Sequence, residues 1–165
     1  MQVLLDALQE VDARAVIVGF GPDRPKFEQQ AEGMDVLFTG PFEHRHLVHL
    51  LAFADVSVVP SIFPEAFGMV AAEAAAAGSA PLVARHSGLQ EIAEGLEAAY
   101  PPEHRHLTSF ATGDAGDLRA KLQELLALPR EEHERVAAAA RRAVVERWSW
   151  AGVAVRLLQP FQGAD

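Results

Sequence analysis

The chain has 165 residues, of which 50% are hydrophobic and 22% are charged, which is the length and balance of one globular domain. Its 14 Lys and Arg against 23 Asp and Glu give a net charge of −9, so binding to nucleic acid or to an anionic bilayer is disfavoured. The absence of cysteine excludes disulfide scaffolds and thiolate metal sites. With no long apolar run and no secretory leader pattern, we expect a cytoplasmic domain without a transmembrane segment.

Short apolar runs that end in Gly or Pro recur along the first hundred residues. Runs of this length that are apolar on both faces are typical of buried parallel strands. The predicted strands, in chain order, are 15–18, 36–38, 56–59, 81–84 and a shorter candidate at 98–100.

Helical stretches fill the intervals and close the chain. The predicted helices are 4–11, 26–32, 44–54, 68–77, a stretch of one or two turns at 89–94, then 117–128, 130–148 and 150–158. Gly78 is placed to end the Ala-rich helix 68–77. The alternation predicts an α/β domain, with a Rossmann-like open parallel sheet and helices on both faces. Because the first segment is helical, either a helix caps the sheet or the usual first strand is lacking.

The loops that follow the strands are the candidate ligand sites, because open parallel sheets bind ligands beyond the carboxyl ends of their strands. Gly19 and Gly21 follow the first predicted strand, but the third glycine of the dinucleotide fingerprint is missing. A tight turn between strand and helix is therefore favoured over an NAD site.

The segment 60–68 after the third strand carries a stronger signal. It leads into a helix whose N-terminal amides and positive dipole end suit a diphosphate. Glu73 is the only charge in that helix, and a ribose diol would supply the two donors that its carboxylate needs. Glu65 lies eight residues earlier, just before the N-terminus of the same helix. The alternative is that Glu73 is a surface residue and that Glu65 only favours the helix dipole.

The ordered motifs of the chain resemble the C-terminal, donor-binding half of retaining GT-B glycosyltransferases of family 4. Glu65 and Glu73 have the spacing of the Glu-x7-Glu motif of that family. The motifs that carry the resemblance are VIVGFGP at 16–22, FTG at 38–40, LL and ADV within 50–56, PS and EAFG within 60–68, EA at 73–74, Gly78, GL and EI within 88–92, and WSW at 148–150. The resemblance implies half of a GT-B fold.

The resemblance also implies site residues and a reaction. Glu73 would bind the ribose hydroxyls of a sugar nucleotide, and Glu65 would contact the donor sugar near its anomeric centre. The loop of Gly40, Pro41 and Phe42 would border the base. The backbone amides expected to hold sugar hydroxyls and the diphosphate are those of Phe67, Gly68, Met69 and Val70. A hexosyl group would be transferred with retention while the site stabilises charge on the departing phosphate.

Two neighbouring residues after the fourth strand are further candidates. Arg85 is a candidate phosphate contact, and His86 is expected to point toward the donor phosphate or sugar. The resemblance implies no cofactor and no obligatory metal, and a UDP-, GDP- or ADP-sugar would be the substrate. Solvated histidines are favoured over a metal site at His44, His46 and His49, because no obvious ligand set is complete there.

The chain departs from the family pattern in four ways. The first strand, the Arg and Lys that grip the diphosphate, and the N-terminal acceptor domain are missing from residues 1–165. We therefore expect a single nucleotide-sugar-binding domain that is inactive alone and pairs with an acceptor domain. Ser87 stands where the family has a glycine. Separately, an exposed apolar face on the last helix suggests a homodimer. The alternative function is a non-catalytic, Rossmann-like interaction or regulatory module.

Overall fold

A computed structural model describes residues 1–159 of the chain. Strands and helices alternate in its first half, and helices close it. The helices are α1 (Gln2–Leu8), α2 (Arg24–Gln30), α3 (His44–Phe53), α4 (Met69–Ala77), α5 (Ser87–Ala99), α6 (Ala115–Ala127), α7 (Arg130–Trp148) and α8 (Trp150–Leu158), with a 3₁₀ helix at Pro102–Thr108. The strands are β1 (Ala15–Ile17), β2 (Val36–Phe38), β3 (Val56–Val59), β4 (Ala80–Ala84) and β5 (Ser109–Phe110).

All strand pairs are parallel, which confirms the predicted Rossmann-like α/β architecture. The sheet is hydrogen-bonded in two parts. One part has the order β1-β2, with Ala15 opposite Val36, and the other has the order β3-β4-β5, with Val56 opposite Ala80. Within residues 1–159 no ladder joins β1 to β3, so both are edge strands.

The core surrounds β4, whose five residues are all buried. Helix α4 packs closely on this sheet because Ala71, Ala74 and Ala75 present only methyl groups. The left-handed φ of +104° at Gly78 ends α4, as predicted. This layer fixes the loops that follow β3 and β4.

One strand prediction is wrong, and one helix is longer than predicted. Residues 98–99 end α5, and the fifth strand is instead Ser109–Phe110. Helix α5 has 13 residues, and its buried face follows helical spacing through Leu89, Ile92 and Leu96. The apolar residues near 98–100 therefore belong to a helix that ends before Pro101.

Membrane-spanning helices are not found within residues 1–159, where every helix is too short or too polar to cross a bilayer. The cytoplasmic location expected from the sequence stays a prediction.

Candidate functional site

The carboxyl ends of the strands meet at one edge, and the loop at residues 60–68, here called the Glu65 loop, lies between β3 and α4. Gly68 ends this loop with a left-handed φ of +97°. A Cβ on Gly68 would overlap the side chain of Leu89 on α5. Glycine at this position therefore allows both the turn into α4 and the close approach of α5.

The first turn of α4 presents unpaired backbone amides. Among the residues described, no side chain caps this nine-residue helix. The N-terminal amides of a helix have no partner within it, and the dipole makes this end partly positive. The side chains of Met69 and Val70 are more than half exposed, so the first turn is open to solvent. A ligand carrying negative oxygens can approach the amides from there.

Glu73 is the only charged residue on α4, and its side chain is 25% exposed. The Nδ1 of His44 lies 3.9 Å from the Glu73 Oε1. No hydrogen bond to the Glu73 carboxylate is found within residues 1–159. The structure places Glu73 in a partly buried position rather than on a fully exposed helix face, with oxygens that can accept from hydroxyl groups.

His44 also connects the two parts of the sheet. It begins α3 after β2, whereas Glu73 belongs to the helix that follows β3. The proximity of His44 and Glu73 therefore brings the loop of Gly40, Pro41 and Phe42 to the same edge as α4. Pro41 and Phe42 are exposed.

Glu65 is held through its backbone. Its amide donates to Oγ of Ser87 over 2.9 Å, and its carbonyl oxygen accepts from the Gly88 amide over 2.9 Å. A Cβ on Gly88 would overlap the backbone of Ala66 and Phe67. The Glu65 loop is thus docked on the start of α5, and the partly exposed Glu65 lies four residues before the first residue of α4.

The two predicted contacts after β4 have different surroundings. Arg85 donates to Glu97, and to Oγ of Ser109 over 3.1 Å. The hydrogen bond to Glu97 raises the pKa of Arg85. Arg85 would have to leave Glu97 to reach a phosphate, so its predicted role stays a prediction. His86 is bonded to the carbonyl of Ser61 and to Ser87, which places it against the Glu65 loop.

Arg24 is a residue of this edge that sequence reasoning missed. Its guanidinium donates to the carbonyl oxygens of Thr39 and Phe38 over 2.7 and 3.2 Å, at the carboxyl end of β2. Together with Gly19 and Phe27 it lines an apolar cavity of about 230 Å³ at the ends of β1 and β2. An arginine soon after a glycine turn that follows a strand was the available signal.

One cluster outside this edge has metal-binding residue types. Ligand atoms of Glu103, His104 and Glu132 lie within 4.8 Å of one another, the one such group within residues 1–159. Arg135 lies 4.0 Å from Glu103 and donates to Glu132 over 2.7 Å. The guanidinium therefore already supplies the positive charge that these carboxylates need.

The chain is similar to known glycosyltransferases in sequence. The family model described as glycosyl transferases group 1 matches residues 1–128. The chain is 35% identical over 171 aligned residues to a phosphatidyl-myo-inositol mannosyltransferase of Mycobacterium leprae. It is 47% identical over 83 residues to a GDP-mannose-dependent alpha-(1-6)-phosphatidylinositol dimannoside mannosyltransferase of Mycobacterium tuberculosis.

A solved structure shows the same fold. The chain matches an Anabaena protein, HepE, that was crystallised with UDP and glucose, with a TM-score of 0.80 and 19% identity. The match covers 99% of this chain and 45% of the Anabaena chain. The alignments cover 98% of this chain and 42% of the Mycobacterium leprae protein, and 50% of this chain and 22% of the Mycobacterium tuberculosis protein. The chain therefore spans less than half the length of these relatives.

Proposed function

The chain belongs to the glycosyl transferase group 1 family, and on that premise we propose that it is the donor domain of a retaining family 4 enzyme. In this proposal residues 1–165 form the nucleotide-sugar-binding half of a GT-B glycosyltransferase that transfers a hexosyl group. The name of the Mycobacterium tuberculosis relative makes GDP-mannose the first donor to test, and an Anabaena HepE complex with UDP-glucose makes that nucleotide sugar the second.

The observation that carries the proposal is the state of Glu73. Its carboxylate is three-quarters buried at the ligand edge, and no hydrogen bond to it is found in the described part of the chain. A partly buried carboxylate gains stability from hydroxyl donors, and a ribose diol offers two at the spacing of one carboxylate. Glu73 would therefore bind the ribose of the donor.

The surrounding groups suit the rest of a sugar nucleotide. The free amides of Gly68, Met69 and Val70 at the positive end of α4 would hold the diphosphate and stabilise its charge as it leaves. Glu65, in the loop that precedes the same helix, would contact the sugar near its anomeric carbon. The exposed loop of Gly40 to Phe42 would border the base.

An additional strand between β1 and β3 is the second element of the proposal. In a parallel sheet the backbone N–H and C=O groups of one residue point to the strand on one side, and those of the next residue point to the strand on the other side. Because Ala15 and Ile17 face β2, the backbone of Val16 faces the free edge of β1. In the same way Val56 and Val58 face the free edge of β3. A strand from another part of a complete GT-B enzyme would pair there, alongside the acceptor domain that activity requires.

The test is a titration of the purified chain with GDP, UDP and ADP, followed by thermal shift and NMR. A nucleotide at about 100 times its dissociation constant should stabilise the fold by about 2.7 kcal/mol. Glu73→Gln removes one charge at the site, and Glu32→Gln makes the same change at an exposed position before β2, at the opposite edge.

Saturable binding of one nucleotide that is lost in Glu73→Gln and kept in Glu32→Gln is the expected result. Absence of binding in the wild-type chain, and also in a chain extended upstream by one strand, would contradict the donor-domain proposal and favour an interaction module. Turnover of a nucleotide sugar onto an acceptor by residues 1–165 alone would contradict the expected inactivity.

A further inference from the structure

Three consecutive residues at the start of α5 are hydrogen-bonded to the Glu65 loop. Nε2 of His86 lies 2.8 Å from the carbonyl oxygen of Ser61. Oγ of Ser87 lies 2.9 Å from Nδ1 of His86 and 2.9 Å from the amide nitrogen of Glu65. The amide of Gly88 donates to the carbonyl oxygen of Glu65. The loop is thus held near its start at Ser61 and again at the backbone N–H and C=O of Glu65.

The direction of each bond follows from the chemistry of the groups. The carbonyl of Ser61 can only accept, so Nε2 of His86 carries the proton. In the neutral imidazole Nδ1 is then an acceptor, and the hydroxyl of Ser87 donates to it. The oxygen of that hydroxyl keeps a lone pair for the amide of Glu65. One tautomer of His86 satisfies all three bonds.

The backbone of Ser87 indicates that its hydroxyl has a task. Its φ is +45°, and among the residues described it is the only residue other than glycine with a positive φ. Glycine adopts this conformation without strain, whereas a serine does so at a cost in energy. The hydroxyl that glycine lacks is the group that links His86 to Glu65.

We propose that His86 and Ser87 are positioning residues, which hold the Glu65 loop through hydrogen bonds from the Ser61 carbonyl to the Glu65 amide. The inference rests on the proposed function, because it is the donor sugar that Glu65 would have to meet in a fixed geometry. Neither His86 nor Ser87 contacts the sugar in this scheme. They act by limiting where the Glu65 carboxylate can lie.

The decisive variant is Ser87→Gly, because it removes the hydroxyl and relieves the backbone strain at once. The amide of Glu65 is expected to exchange with solvent at least about tenfold faster than in the wild-type chain, as measured by NMR. The thermal unfolding midpoint is expected to stay equal or to rise, since glycine favours the observed φ. Imidazole nitrogen shifts of the wild-type chain should show the His86 proton on Nε2.

The control is His106→Ala, which removes an exposed histidine that pairs with Glu124 outside this region. It should leave the exchange of the Glu65 amide unchanged. Unaltered exchange of that amide in Ser87→Gly, or a His86 proton on Nδ1 in the wild-type chain, would overturn the proposal that these hydrogen bonds hold the Glu65 loop.

A binding comparison separates this inference from the proposed function. With the nucleotide that the wild-type chain binds, Ser87→Gly should keep the affinity for the nucleoside diphosphate and weaken the affinity for the nucleotide sugar. Equal weakening of both ligands would contradict a role through Glu65. If neither the wild-type chain nor the chain extended upstream by one strand binds GDP, UDP, ADP or their sugars, the proposed function is contradicted. Amide exchange still decides whether His86 and Ser87 hold the Glu65 loop.

Discussion

The indole ring of Trp148 packs edge-on against the phenyl ring of Phe67, with ring centroids 5.6 Å apart and ring planes at 70°. Phe67 directly precedes Gly68, the N-cap of α4, and Trp148 ends α7. The indole Nε1 also donates to Glu91 on α5 over 3.2 Å, and a Cβ on Gly95 would overlap the ring. The end of α7 therefore packs against both the Glu65 loop and α5.

Replacing Trp148 should weaken both the fold and the loop. Trp148→Ala removes the ring that fills the space beside Gly95, so we expect a loss of about 3 kcal/mol in the free energy of unfolding. Trp148→Phe should lose less, because it keeps an aromatic ring. Urea unfolding of both variants measures the difference. Equal stability of Trp148→Ala and the wild-type chain would show that the ring contributes no packing energy.

Gly88 allows a close approach between α5 and the Glu65 loop. Gly88→Ala would place a methyl group in the space of the Ala66 and Phe67 backbone, so the loop must move. We expect a destabilisation of about 1–3 kcal/mol and shifted NMR signals for loop residues. Gly113→Ala is the comparison, since its Cβ would meet nothing within 4 Å, although its φ of +82° adds local strain. Loop signals that move in Gly113→Ala but not in Gly88→Ala would contradict the packing argument.

Alkaline pH should destabilise the chain through Tyr100, its only tyrosine. Burial raises the pKa of this hydroxyl, and its oxygen has no hydrogen-bond partner within residues 1–159. The unfolded chain therefore ionises Tyr100 at the ordinary value of about 10, while the folded chain keeps the proton to higher pH. Above about pH 10 the unfolded state binds fewer protons, so the free energy of unfolding falls as pH rises.

Absorbance at alkaline pH reports Tyr100 alone, because no second tyrosine is present. Tyr100→Phe should remove this part of the pH dependence and should not destabilise the chain strongly, since the lost hydroxyl has no partner. Titration of Tyr100 at its ordinary pKa in the folded chain would contradict the effect of burial.

The free sheet edges predict a pattern of amide exchange. The amides of Val16 and Val58 face no neighbouring strand in residues 1–159, whereas the backbone of Leu82 faces β3. We expect the amides of Val16 and Val58 to exchange much faster than that of Leu82. In a chain extended with the corresponding upstream segment of a family member, both should become protected. Slow exchange of Val58 in the unextended chain would contradict an open edge.

Helix α8 predicts self-association. Trp150, Leu157 and Leu158, which helical spacing puts on one face of α8, are 83%, 68% and 54% exposed, which is an apolar surface that a monomer rarely leaves in water. We expect a dimer by light scattering at high concentration, and Leu157→Glu should shift it toward the monomer. A monodisperse monomer of the wild-type chain at high concentration would exclude this dimer.

The sequence by itself determined the α/β architecture, because the first four strands and the helices between them leave apolar runs or helical apolar spacing in neighbouring residues, whereas the two-residue β5 leaves none. The α4 helix was predicted within one residue, together with its end at Gly78. The motif of Glu65 and Glu73 pointed to the same edge of the sheet because parallel strands bring their carboxyl ends together.

Only the tertiary structure decided the partners of individual side chains. Arg85 pairs with Glu97, and His86 binds a carbonyl 25 residues away, although both follow the same strand. The packing of Trp148 on Phe67 is likewise a contact between segments distant in sequence. The separation of β1-β2 from β3-β4-β5 also depends on which distant strands pair. Local patterns record which face of an element is buried, whereas hydrogen-bond and packing partners depend on atoms that only the folded chain brings together.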